Sequence, residues 1–141
     1  MATYLLKTEP GTYSFDDLVR DGKATWDGVT NAAALISLRA MKRGDEAFIY
    51  HTGDERAIVG LALVTKGGYE DPQRPGLNDR GEPKFAVVDI KPGKRARTPL
   101  TLDAMKADRR FGAFKLVTIG RLSVMPVPPD LDRIIRQTAG L

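Results

Sequence analysis

The sequence predicts one globular domain with an α+β fold, and three observations lead to that prediction. Strand-like segments rich in β-branched and aromatic residues alternate along the chain with shorter segments whose apolar residues recur at helical spacing. The 141 residues suit one domain, spanning residues 1–141, that buries about two thirds of its unfolded surface around one core. Hydrophobic residues make up 42% and charged residues 28% of the chain, which are proportions typical of a globular protein.

The composition excludes several kinds of site. The chain has no cysteine, which rules out disulfides, thiolate zinc sites and cysteine nucleophiles, and its single histidine rules out an all-histidine metal site within one chain. It has no apolar run of about 18 residues and no signal-peptide pattern, so we expect a cytoplasmic protein without membrane contact. We also expect a monomer that needs no cofactor or metal. The net charge of +4 is compatible with a polyanionic partner but is only weak support for one.

The N-terminal segment predicts a strand followed by a short helix. Residues 3–7 have strand character, and Pro10-Gly11 breaks the pattern after them. Ser14 is a suitable N-cap, and Asp17 three residues later completes the pattern of a capping box. We therefore expect a helix that begins after Ser14 and ends at Gly22.

Residues 25–52 hold the only tryptophan and the only histidine of the chain. Trp26 precedes Asp27-Gly28, a pair that favours a tight turn because glycine tolerates positive φ and aspartate can bond its own backbone. Asn31 is then a suitable N-cap for a helix that ends at the basic, glycine-terminated stretch 42–44.

A strand is expected directly after this helix. Residues 46–51 have the alternating pattern of a strand, which ends in Tyr50 and His51. A turn, a helix and a strand in this order would bring these two side chains close to Trp26 and Asn31. This neighbourhood is where we expect the functional site.

The second half of the chain predicts three more strands and a helix. A nearly continuous apolar run over residues 57–65 predicts the most buried strand. Residues 67–84 contain four glycines and three prolines and predict a long loop, which is followed by a strand over residues 85–90. Residues 121–127 predict the last strand, and a C-terminal helix follows Pro128-Pro129.

Two basic stretches lie between these elements. The segment KPGKRAR, residues 91–97, has four basic residues in seven, and a second basic stretch follows a short helix expected over residues 101–106. A solvated basic turn is the favoured interpretation of the first stretch, and a phosphate-contacting patch is the alternative. The candidates for phosphate contact are Lys94, Arg95, Arg97, Arg109 and Arg110.

Several motifs occur together in an order that resembles the EVE domain family. They are YLLKTEP near the start, WDGVTN, FIYHT followed by AIVGLALV, YEDP, and RLSVMPV near the end, and they span residues 3–127. The EVE family is similar to the thymocyte nuclear protein family and belongs to the PUA-like group, which is related to YTH domains. The resemblance implies a single EVE domain with a PUA-like fold, a curved mixed β-barrel with short flanking helices.

The resemblance also implies a function. Members of this group present a pocket for a base, often a chemically modified one, in RNA or DNA. An extruded base offers two π faces and a polar edge, so a pocket needs an aromatic wall and a few fixed hydrogen-bonding groups. Stacking contributes about 1 to 3 kcal/mol per base, and a methyl group adds on the order of 1 kcal/mol. The expected protein is therefore a nucleic-acid-associated binding module, not an enzyme, with an aromatic pocket around Trp26.

The motif match implies a set of pocket residues. Trp26 matches the pocket tryptophan, with Asp27 and Asn31 as groups that contact the edge of the base. The full set is Lys7, Thr8, Glu9, Trp26, Asp27, Asn31, Tyr50, His51, Tyr69, Arg121 and Ser123. The sequence departs from the pattern of many members at Thr30, Ala32, Leu35 and Ile36. Four polar or aromatic groups are thereby absent near the expected pocket mouth.

Other interpretations of these residues stay open. A lone tryptophan is more often a packing residue, and His51 can be a structural histidine. Asp27 can serve only the turn, and Arg121 can pair with a surface carboxylate. A small enzyme acting on a nucleotide-like or polar metabolite could use Glu9, Asp27 and His51 as acid and base. Against an enzyme, the chain has no Gly-rich phosphate loop and no nucleophile elbow. A protein-interaction module is a third class of function, and no feature of the sequence supports it specifically.

Overall fold

Six strands form one sheet in the computed structural model, which describes all 141 residues. The strands are β1 (Thr3–Thr8), β2 (Ala24–Trp26), β3 (Glu46–His51), β4 (Ala57–Glu70), β5 (Ala86–Thr101) and β6 (Val124–Pro126). Their order is β2-β5-β4-β3-β1-β6, with β1 and β3 parallel and the other neighbours antiparallel. Register shifts in the β3–β4 and β4–β5 pairs accompany the curling of the sheet into a half-barrel.

Five short helices accompany the sheet. They are α1 (Phe15–Asp21), α2 (Ala32–Ala40), α3 (Leu102–Lys106), α4 (Lys115–Thr118) and α5 (Pro129–Ala139), with a 3-10 turn at Arg109–Phe111. None of them combines the length and the apolar character needed to cross a membrane. The capping box predicted for α1 is confirmed, because the Ser14 side chain accepts a hydrogen bond from the Asp17 amide at 3.0 Å and the Asp17 carboxylate accepts one from the Ser14 amide at 2.9 Å. Gly22 then ends α1 with a φ of 76°.

One cluster of buried hydrophobic residues forms the core. Residues 47–51 of β3 and 57–62 of β4 are all buried, so both faces of these central strands are covered. Such burial is expected where a sheet curls and short helices pack against it. The predicted α+β fold with a curved mixed sheet and short flanking helices is confirmed.

Some elements have bounds other than those predicted. Helix α2 ends at Ala40 and not at residues 42–44, because Met41 takes an extended conformation with ψ of 140°. The sequence does not predict β2, since three residues are too few to show an alternating pattern. The last strand covers only Val124–Pro126 of the predicted residues 121–127.

The β4–β5 hairpin is longer than predicted. The segment KPGKRAR is not a turn, because its backbone pairs with β4 through Lys91 opposite Leu63 and Arg95 opposite Gly60. β4 continues through two glycines that the sequence places in a loop. A Cβ on Gly68 would lie 2.4 Å from the Leu38 carbonyl oxygen, so the missing side chain allows α2 to lie directly on this strand.

Candidate functional site

A cavity of about 670 Å³ lies at the carboxyl end of β1, beside β2 and the segment that follows it. Its volume falls within the range of pockets that hold small molecules. The lining residues are Lys7, Thr8, Glu9, Thr12, Tyr13, Ala24, Thr25, Trp26, Asp27, Gly28, Val29, Thr30, Asn31, Arg121 and Ser123. Only four of these fifteen are hydrophobic, so the cavity offers mostly polar groups around its aromatic side chains.

Two of the four hydrophobic lining residues are aromatic, Tyr13 and Trp26. Trp26 is the last residue of β2 and is half-buried against the core. The ring of Tyr13 meets it edge to face, with 6.4 Å between the centroids. The Tyr13 hydroxyl donates to Asp21 at 2.9 Å, and burial together with this hydrogen bond raises the pKa of Tyr13 to about 12. Tyr13 is therefore a neutral phenol at physiological pH.

The end of β1 contributes Lys7, Thr8 and Glu9. The Lys7 amine donates to the Gly120 carbonyl at 3.0 Å, and burial lowers its pKa. The Thr8 hydroxyl donates to the Tyr13 carbonyl at 2.6 Å and so ties the strand to the segment before α1. The Glu9 carboxylate accepts two longer hydrogen bonds, from the Gly11 amide at 3.3 Å and from Thr52 Oγ1 at 3.2 Å.

The wall segment, residues 27–31, connects β2 to α2. Gly28 has the positive φ that the sequence led us to expect, 77°, but no backbone hydrogen bond closes the predicted tight turn. The Oδ1 of Asn31 accepts from the Ala34 amide at 3.0 Å and caps α2, which confirms the predicted N-cap. The Asn31 side-chain amide group and the Asp27 carboxylate have no hydrogen-bond partner in the protein. Both are free to meet a ligand.

The cavity brings together most of the residues predicted to form the site. Those that line it are Lys7, Thr8, Glu9, Trp26, Asp27, Asn31, Arg121 and Ser123. Arg121 makes no ion pair, so its charge is not neutralised by a neighbouring carboxylate. Tyr50, His51 and Tyr69 do not line the cavity.

His51 has a structural position. Its side chain is buried, its Nε2 accepts from the Phe15 amide at 3.0 Å, and its Nδ1 lies 2.8 Å from Glu55 Oε1. Because Nε2 is an acceptor, the ring proton lies on Nδ1 and points to Glu55. Both ring nitrogens are thus occupied, Nε2 in anchoring the start of α1 and Nδ1 in contacting the turn between β3 and β4. Tyr50 beside it is a buried core residue.

Tyr69 supports the site from outside. Its hydroxyl donates to Asp89 Oδ1 at 2.6 Å, and the Thr25 hydroxyl donates to the same oxygen at 2.9 Å. Thr25 precedes Trp26 on β2, so these hydrogen bonds hold the tryptophan strand on the sheet. The sequence led us to expect that Tyr69 closes a second face of the cavity, but its side chain does not line the cavity.

The basic stretches lie apart from the cavity lining. Lys94, Arg95 and Arg97 are on β5, while Arg109 and Arg110 are in the 3-10 turn. None of the five lines the cavity. Arg95 pairs with Asp16 at 2.7 Å and Arg110 pairs with Asp108 at 2.7 Å, so two of the five charges already have partners.

Sequence reasoning missed Tyr13, which lines the cavity as the second aromatic residue. Its position next to the N-cap Ser14 is the one local signal, because the chain there turns back towards the end of β1. Among the four departures from the family pattern, only Thr30 lines the cavity. Leu35 is a core residue and Ile36 is 64% exposed, so these two are not part of the lining.

Comparison with known proteins agrees with this architecture. The sequence profile of the EVE domain matches residues 2–138. Thymocyte nuclear protein 1 of Rattus norvegicus is 34% identical over 155 aligned positions, which cover 90% of this chain and 69% of that protein. The predicted resemblance to the EVE domain family is thereby confirmed.

Solved structures show the same fold. An NMR structure of a Rhodopseudomonas palustris protein is 38% identical, with a TM-score of 0.88, and the match covers 99% of this chain and 94% of that one. A crystal structure of human THYN1 protein in complex with 5-methylcytosine-containing DNA is 26% identical, with a TM-score of 0.87, and the match covers 100% of this chain and 99% of that one. The fold is the predicted PUA-like one, and the chain belongs to the EVE domain family.

Proposed function

We propose that this protein binds nucleic acid and holds one base, extruded from its strand, in the cavity beside Trp26. One observation carries the proposal: a half-buried indole lies in the wall of a cavity of about 670 Å³ whose other walls are mostly polar. An unpaired base needs an aromatic surface for its π face and fixed polar groups for its edge. The human THYN1 structure with DNA that contains 5-methylcytosine supports the same class of partner.

The polar groups of the cavity suit the edge of a base. The carboxylates of Glu9 and Asp27 accept hydrogen bonds, and the Asn31 side-chain amide donates them. A cytosine edge presents an amino donor next to acceptors, and carboxylates commonly accept from that amino group. A methyl group on the base would add on the order of 1 kcal/mol of apolar contact. We therefore propose a modified cytosine as the preferred base.

The cations of the cavity favour a nucleic acid strand over a free base. Arg121 and Lys7 both line the cavity, and Arg121 has no carboxylate partner. A guanidinium there can contact a phosphate next to the extruded base. We propose that Arg121 and Lys7 neutralise phosphates of the nucleic acid, and that the basic stretches of β5 and the 3-10 turn do not.

A binding role is preferred to catalysis because of His51. The enzyme alternative needs this residue as an acid or base beside Glu9 and Asp27. Its ring nitrogens instead contact the Phe15 amide and Glu55, and it does not line the cavity.

The fluorescence of the single tryptophan provides the test. Short single-stranded DNAs that carry cytosine or 5-methylcytosine, and RNAs of the same sequence, are titrated into the protein. We expect quenching of Trp26 and about 5-fold tighter binding of the methylated strand, which corresponds to about 1 kcal/mol. Binding that leaves the tryptophan emission unchanged would place the ligand elsewhere, and no binding by any strand would refute the proposal.

A further inference from the structure

The segment between β4 and β5, residues 71–85, is fixed to the rest of the fold. Arg39 of α2 donates from Nε to the Pro83 carbonyl at 2.7 Å and from Nη2 to the Lys84 carbonyl at 3.0 Å. At its other end, the Glu70 carboxylate accepts from the Gly76 amide at 3.2 Å. This loop is therefore a supporting element and not a free surface loop.

Arg74 lies in this loop with its guanidinium held on two sides. Its Nε donates to Asp71 Oδ2 at 3.2 Å, and its guanidinium carbon lies 4.4 Å from the centroid of the Phe85 ring. Asp71 is itself buried, and its other oxygen accepts from the Gln73 amide at 2.9 Å. A planar guanidinium held by a carboxylate and a ring face has a defined orientation.

The remaining edge of the guanidinium meets the back of the cavity wall. Arg74 Nη2 donates to the Val29 carbonyl at 3.5 Å, a long charge-assisted contact. Residues 27–30 make no other hydrogen bond with the protein. The wall segment is thus attached at Trp26, at the Asn31 cap and, between them, through Arg74 and the packing of Val29 on the core.

We infer that Arg74 is a positioning residue for the base cavity. Gly28, with its φ of 77°, gives the wall segment little stiffness of its own. Arg74 holds this segment so that Asp27 and Asn31 keep a fixed distance from the Trp26 ring. The residue does not line the cavity, so it acts through Val29 and not by touching a ligand. The effect of Arg74 on the affinity for a strand rests on the proposed function, whereas its effect on the order of the wall segment does not.

Two substitutions test this role against a control in the same loop. Arg74→Lys keeps a charge beside Asp71 but cannot bridge Asp71 and Val29 together, and Arg74→Gln removes the charge. Arg80→Gln is the control, because the Arg80 side chain makes no hydrogen bond or ion pair. The first measurement is the backbone order parameter of Gly28, Val29 and Thr30 in the free protein, by NMR relaxation. We expect order parameters of about 0.85 in the parent and the control, falling to about 0.6 in both Arg74 variants.

The second measurement is the affinity for the methylated single strand as a function of salt. We expect both Arg74 variants to bind about 3- to 10-fold more weakly with an unchanged salt slope, since one positioning hydrogen bond is lost and no phosphate contact is removed. Unchanged order parameters in both variants would overturn the inference, as would a salt slope reduced by about 0.7, which would make Arg74 a phosphate ligand. If the order parameters fall but the parent binds no strand, the proposed function fails and the positioning role stands.

Discussion

The rings of Tyr13 and Trp26 meet at an interplanar angle of 77°, with the edge of one directed at the other. Aromatic pairs of this geometry contribute about 0.5 to 1.5 kcal/mol beyond their buried area. Tyr13 belongs to the segment before α1, and Trp26 belongs to the strand after it. The contact therefore joins two sides of the cavity and fixes the tilt of the indole before any ligand arrives.

Replacement of Trp26 by alanine should weaken the binding of a methylated single strand about 5- to 150-fold, because stacking worth about 1 to 3 kcal/mol is lost. The tryptophan is only half-buried, so the loss of stability should be smaller than the 3 to 5 kcal/mol that is roughly typical of a fully buried ring. Affinity is measured with a labelled strand, and stability by thermal unfolding. The Trp26→Phe variant retains an aromatic ring, so its affinity should lie between those of the parent and the alanine variant. Normal binding by the alanine variant would show that the base lies elsewhere.

The Tyr13 hydroxyl should ionise near pH 12 and not near its ordinary value of 10, because burial and the bond to Asp21 favour the neutral form in the folded protein. A folded-state pKa above the unfolded value means that this contribution to stability is complete below pH 10 and disappears as the pH rises through about 12. The absorbance of tyrosinate is followed against pH for the parent and for Tyr13→Phe. The ionisation step missing from the variant should be the one near pH 12. If the missing step lies near pH 10, the hydrogen bond to Asp21 does not hold the hydroxyl in its neutral form.

Asn31 has two roles that substitutions can separate. Asn31→Ala removes the α2 cap and should lower the free energy of unfolding by about 0.5 to 2 kcal/mol, in addition to any loss of base contact. Asn31→Ser keeps a capping oxygen but has no side-chain amide. We expect the serine variant to unfold at nearly the parent urea concentration and still bind a modified strand more weakly. Full affinity of the serine variant would show that the Asn31 side-chain amide does not contact the edge of the base.

His51→Ala should destabilise the protein without impairing the folded fraction's affinity. The substitution leaves the buried Phe15 amide without its acceptor, which costs about 1 to 3 kcal/mol. Glutamine can offer an oxygen in place of Nε2, so His51→Gln should recover part of that loss. Urea unfolding gives the stability, and a titration at low urea gives the affinity. A loss of affinity at unchanged stability would instead make His51 a ligand-contacting residue.

Local patterns predicted the elements that depend on neighbouring residues. The Ser14–Asp17 capping box and the Asn31 cap both involve residues three positions apart from the amides they bond, and both are present. The motif match located Trp26, which no periodicity could assign to a cavity. The two caps were predictable because each of these interactions is contained within a short stretch of chain.

Long-range contacts explain what the sequence did not predict. β2 exists because Trp26 pairs with Val88, more than sixty positions away, and the basic segment of β5 is a strand because β4 pairs with it. His51 has the residue type of a functional group, but the Phe15 amide that occupies it comes from a distant helix. The role of Tyr69 in holding β2 likewise depends on Asp89 of another strand. Pairings of this kind carry no signal in a single sequence.

The contact between α2 and β4 leads to a last prediction. A Cβ on Gly68 would lie 2.4 Å from the Leu38 carbonyl oxygen and 2.8 Å from the Arg39 Cα, both backbone atoms of the helix. Since backbone cannot move aside as a flexible side chain does, Gly68→Ala should cost about 1 to 3 kcal/mol and lower the melting temperature by about 2 to 12 °C.

Gly120→Ala is the matched control, because nothing lies within 4 Å of the added Cβ and the carbonyl that accepts from Lys7 is retained. Its melting temperature should stay close to that of the parent. Because α2 begins at the Asn31 cap, a displaced helix should also move the cavity wall, so Gly68→Ala should weaken the binding of a modified strand below the temperature of unfolding. Equal stability of the two glycine variants would mean that α2 can shift away from β4 at no cost, and the close approach would then have no part in shaping the cavity.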